Sequence, residues 1–107
     1  MANSDPDKPN WYAIDVRPDD TFTTVKIFHS ASGYDKSLKG LPDGLKIDKK
    51  GNVFATGPGG AWVFNSEGKL LGIIKLEEAT SNVALSPDEK ILYFTNDRYV
   101  IRLKMRE

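Results

Sequence analysis

The residues best suited to chemistry in this chain lie in one short string, Leu41-Pro42-Asp43-Gly44-Leu45-Lys46-Ile47-Asp48. The string has two readings. As a turn, Pro42 fixes φ, Asp43 hydrogen-bonds locally, and Gly44 takes a dihedral other residues avoid. As a site, Asp43 is a carboxylate at the mouth of a strand, able to ligate a hard cation or to take a proton from water. Spacing alone leaves both open. The other candidates are weaker. His29, the one histidine, is expected at the surface at the end of a strand. Ser66 and Ser86 fall in turns with no nearby histidine, so a Ser-His-Asp arrangement is unsupported. Gly57-Pro58-Gly59-Gly60 has no following Lys-Ser/Thr or helix and reads as a tight connection between strands, not a phosphate loop. Asp88 and Glu89 read as a solvated turn.

Those residues must be held by short strands. Trp11 to Val16 is aromatic and β-branched and is followed by Pro-Asp-Asp. Further strands are expected over 23–29, 44–48, 53–56, 61–65, 70–76, 83–86, 91–96 and 99–105, with a polar, Gly/Ser-rich loop over 30–40. Runs of four to seven residues with turn signals about every ten argue for an all-β fold, and no window carries a helical period of comparable length. Trp62, Phe64, Phe54, Tyr93 and Phe94 are expected to pack between layers.

Composition narrows the partners. Lys+Arg and Asp+Glu balance at 15 each over 107 residues, which argues against a nucleic-acid or anionic-membrane footprint, since either needs a clustered positive excess. The tail Arg102, Lys104, Arg106 alternates with Ile101, Leu103 and Met105, the pattern of a half-buried strand. The chain has no cysteine, which removes disulfides, zinc–thiolate sites and thiol nucleophiles. No apolar stretch approaches the roughly 20 residues of a membrane span. The polar, acidic start is not that of a signal peptide, and the compartment stays undetermined.

The chain also repeats itself. At an offset of 39 residues Asp43-Gly44-Leu45 falls on Asn82-Val83-Ala84, Phe54 on Tyr93, and Thr56 on Thr95. The opening Ala2-Asn3-Ser4-Asp5 followed by WYAIDV looks like the end of a third copy. A unit of about 40 residues with four strands marks a propeller blade. The expected fold is therefore a partial β-propeller of about two four-stranded antiparallel blades. Residues 1–30 end one blade, 41–77 form a complete blade, and 80–107 form most of the next. Such a piece cannot close alone, and the start in mid-blade favours a truncated gene. Its open blade edges invite self-association. In a propeller the first strand of each blade lines the central channel, so Asp43 and its repeat partner Asn82 would face one axial site as oxygen donors.

The string GLPDGLKIDKKGNVFATGPGGAWVFNSEGKLLG resembles a blade of the SMP-30/gluconolactonase/luciferin-regenerating-enzyme family, with ATSNVALSPDEKILYFTND similar to the blade that follows and ANSDP…WYAIDV similar to the blade before. The resemblance spans nearly the whole chain and points to the C-terminal part of a six-bladed propeller. It implies a metal-dependent lactonase that opens sugar lactones by water attack. Asp43 would be a metal ligand and either the general base or the group that positions a metal-bound water, and Asn82 would be a metal ligand or stand just behind one. The metal would be Ca2+, or else Zn2+ or Mg2+. The family's remaining ligands would lie upstream of Met1, outside this chain. Two other functions fit the same fold: a non-catalytic propeller that binds or scaffolds a partner, and a metal-free propeller of the strictosidine-synthase type.

Overall fold

The structure is a computed structural model that describes residues 1–35 and 37–105. Lys36, within the expected loop, and Arg106 and Glu107, at the end of the expected last blade, lie outside the described residues. Among the described residues nine strands run in chain order: β1 Asn10–Val16, β2 Phe22–Ser30, β3 Leu45–Ile47, β4 Val53–Gly57, β5 Gly60–Phe64, β6 Leu70–Lys75, β7 Thr80–Leu85, β8 Ile91–Asn96 and β9 Tyr99–Lys104. They form three antiparallel sheets ordered β1-β2, β3-β4-β5-β6 and β7-β8-β9. A bridge between Ala2 and Trp11 adds the chain start to the first sheet. Each of the nine expected strands forms, with ends displaced by a residue or so except at β7, which starts three residues earlier than expected.

The sheets stack face to face, and strand alternation decides which side chain serves which junction. In the middle sheet Ala55, Trp62 and Phe64 turn toward the first sheet and pack with Trp11. Phe54 and Ala61 turn the other way and pack with Val83, Leu92 and Phe94 of the third sheet. The Trp11, Trp62 and Phe64 rings meet at centroid distances of 5.1 to 6.2 Å, within the range of favourable aromatic pairs. The Gly57–Gly60 hairpin is the expected tight connection. Gly59 sits at φ 84° behind Pro58, and the Pro58 carbonyl accepts a 2.9 Å bond from Trp62 Nε1.

Three expectations need correction. His29 is half-buried, its ring 4.9 Å from that of Phe64 and its Nδ1 3.1 Å from the Gly68 carbonyl oxygen. Its strand lies against the middle sheet, so the end of β2 belongs to a junction. Glu89 is no free solvated carboxylate. It accepts the Lys49 backbone N–H at 3.1 Å, tying the turn of the third sheet to that of the second. Tyr93 remains 36% exposed. It stands where Phe54 stands one blade earlier, on the face turned away from the middle sheet, and no further sheet among the described residues covers it.

The repeat also changes step. Second strands keep the offset of 39: Ala55 and Phe94 both face the preceding sheet. First strands do not. Leu45 pairs with Ala55, whereas Val83 pairs with Phe94, an offset of 38. The cause is the turn between them. Asp48 N bonds to Asn52 O, but Ser86 N bonds to Ile91 O, so the second turn holds one residue more.

Candidate functional site

Asp43 stands at the entry to β3, and its main chain is held from three directions. Pro42 is fully buried, and its carbonyl accepts a 2.5 Å bond from Ser4 Oγ in the preceding sheet. Asp43 N reaches Thr56 O of its own sheet at 3.4 Å. Gly44 N donates to Ser81 O of the following sheet at 2.9 Å. Thr56 returns both its N–H, at 2.9 Å, and its hydroxyl, at 3.2 Å, to the Gly44 carbonyl. Asp43 and Gly44 together thus oppose the single residue Thr56, which is a β-bulge, a device that re-aims a side chain at the end of a ladder. The Asp43 side chain is exposed.

Gly44 is glycine for want of space, not for φ. A Cβ built on it would lie 2.7 Å from Asn82 Cγ and 2.8 Å from Asn82 Cα. The Asn82 carboxamide therefore rests against the residue next to Asp43, and its Oδ1 accepts the Val83 N–H at 2.9 Å. The structure thus brings the two expected site residues to adjoining strand mouths. It also corrects the reason they meet. In the third sheet the register breaks between Thr80 and Asn82, and Thr95 Oγ1 lies 3.5 Å from Asn82 O as Thr56 Oγ1 lies 3.2 Å from Gly44 O. The counterpart of Asp43 is Ser81, and Asn82 is the counterpart of Gly44.

Two side chains do not make a calcium site. Calcium takes about six to eight oxygens, and among the described residues no group of three or more His, Cys, Asp or Glu could hold a metal ion. The described residues of this chain alone do not fit a resident cation.

A cavity of about 420 Å³ opens among the loops that precede Asp43. Pro9, Tyr34, Leu38, Leu41 and Pro58 give it an apolar wall, and Asp7 and Asp35 border it. Asp43 does not line it. Ser4 and Ser81 escaped the sequence reading. Ser81 would have emerged had the longer Ser86–Ile91 turn been allowed for; nothing in the sequence marks the Ser4 bond.

The stacked antiparallel blades, with an inner strand opening on an acidic side chain, define this chain as a segment of a β-propeller. It belongs to the SMP-30/gluconolactonase/LRE-like family, whose model matches residues 1–98. A gluconolactonase of Zymomonas mobilis is 34% identical over 110 residues, covering 99% of this chain and 31% of the relative. A solved gluconolactonase of Xanthomonas campestris superposes with a TM-score of 0.75 at 28% identity, over 87% of this chain and 29% of that one. The chain thus spans about a third of the length of these relatives, the share that two blades of six would take.

Proposed function

We propose that this chain supplies the water-activating blade of a lactone hydrolase acting on sugar lactones. The observation that carries the proposal is the three-way fixing of the Asp43 backbone, because a general base must be held within hydrogen-bond reach of its proton. The Asp43 carboxylate takes a proton from water as the water oxygen bonds to the lactone carbonyl carbon. The ring C–O bond then breaks, and the leaving alkoxide takes the proton back. The product is the open hydroxy acid.

A hard divalent cation, Ca2+ before Zn2+ or Mg2+, belongs to the same proposal, with Asp43 and Asn82 as two of its donors and the rest supplied from beyond this chain. The test is hydrolysis of glucono-δ-lactone above its spontaneous rate, with and without calcium, by this chain and by Asp43→Asn. Loss of about 100-fold or more in the variant supports the base. Equal rates in the two proteins, both above the spontaneous rate, refute it.

A further inference from the structure

We infer that Ser81 is a specificity residue that reads a ring hydroxyl of the substrate. The inference rests on the lactonase reading above and names the kind of lactone it takes. Three observations carry it. Ser81 sits in the register break at the mouth of β7, and Asp43 holds the corresponding place just before β3, its N–H on Thr56 O, so two exposed residues stand at adjoining strand mouths. The Gly44 N–H to Ser81 O bond, 2.9 Å, fixes the two mouths to each other through main chain. Finally, the exposed Ser81 hydroxyl is oriented by a partner: Ser81 Oγ and Thr95 Oγ1 lie 2.9 Å apart.

A hydroxyl has one proton to give and two lone pairs, so the bond to Thr95, whichever oxygen donates, leaves Ser81 Oγ with capacity for a second partner. A ring hydroxyl can fill it as donor or as acceptor, and the unsubstituted methylene of a simple lactone can do neither. Ser81 therefore favours hydroxylated lactones over bare ones while Asp43 does the chemistry on either.

The experiment compares glucono-δ-lactone with δ-valerolactone, using this chain, Ser81→Ala, Ser81→Thr and Thr95→Val. Ser81→Ala lowers kcat/KM for glucono-δ-lactone about 3- to 10-fold, the worth of one neutral hydrogen bond. It leaves δ-valerolactone unchanged, and Ser81→Thr restores the preference. Thr95→Val produces an intermediate loss. An equal effect on both lactones, or none on either, overturns the role of Ser81 and leaves the lactonase reading standing.

If the wild-type chain hydrolyses neither lactone, Ser81 is judged by binding alone. The ring polyol 1,5-anhydroglucitol, which lacks the carbonyl, is titrated against ¹⁵N-labelled chain. Saturable amide shifts at Ser81 and Thr95 that vanish in Ser81→Ala support the site, and their absence in the wild type overturns it.

Discussion

Replacing Gly44 by alanine adds a single methyl group at the tightest point between the second and third sheets. The new Cβ would lie 2.8 Å from Asn82 Cα. To reach the 3.4 Å at which ordinary contact begins, the two inner strands must part by about 0.6 Å in a region with no slack. Rotating the Asn82 side chain relieves the clash with its carboxamide but not the one with its Cα. The Gly44 N–H to Ser81 O bond across the same gap lengthens as the strands part. Overpacking costs about 1–3 kcal/mol, and a weakened backbone hydrogen bond adds about 0.5–1.5 kcal/mol. The expected destabilisation is about 2–4 kcal/mol, read as a fall in the urea midpoint at constant slope. Asn82→Gly in the same background removes the side-chain part of the clash and recovers only part of the loss. A Gly44→Ala chain within about 0.5 kcal/mol of wild type, the range of an inert surface change, would refute the close approach on which the site geometry rests.

Three more outcomes are expected. Phe94→Ala, which empties a buried position at the junction of the second and third sheets, costs about 3–5 kcal/mol in the same urea titration. Asp88 holds its carboxyl below the usual carboxylate range, chiefly because Ser86 Oγ donates to it and secondly because Lys90 N does. A depressed carboxylate stabilises the fold above its unfolded pKa, and that contribution fades as pH falls through the lower folded value. By NMR, Ser86→Ala therefore moves the Asp88 midpoint upward, and an unmoved midpoint contradicts the assignment of cause. On the open face of the third sheet, Val100 is 77% exposed beside Tyr93. Val100→Lys is expected to suppress concentration-dependent association in sedimentation velocity, as a charge on an unpaired edge does.

The strands were legible because their signals are local. Aromatic and β-branched runs such as Trp11 to Val16 and turn pairs such as Pro58-Gly59 act over a few residues. The strand entry that carries Asp43 was legible for the same reason, as part of a turn signature. What escaped depends on register. A one-residue difference in turn length, Asp48–Asn52 against Ser86–Ile91, leaves the 39-residue repeat visible in the second strands and misaligns the first. Ser81 was hidden behind Asn82 in consequence. His29 and Glu89 were misplaced because their partners, Phe64 and Lys49, are about 35 to 40 positions away in sequence and meet them only when sheets stack. Ser4 is a similar case, its partner Pro42 lying in the next sheet.

The second and third sheets are fastened to each other at both ends of their inner strands. Gly44 N reaches Ser81 O at one end, and the Glu89 carboxylate takes Lys49 N at the other. Apart from that one carboxylate, these fastenings are peptide groups, which every residue but proline carries in full. The spacing of the strand mouths is therefore indifferent to which side chains stand at 43 and 81. Those two positions behave as interchangeable sockets in a fixed rim, where an acid can be exchanged for a hydroxyl or an amide without moving the wall that holds it. Such a rim lets reactivity drift under mutation while the fold stays put, and it makes these two positions the natural places to begin altering what the protein recognises.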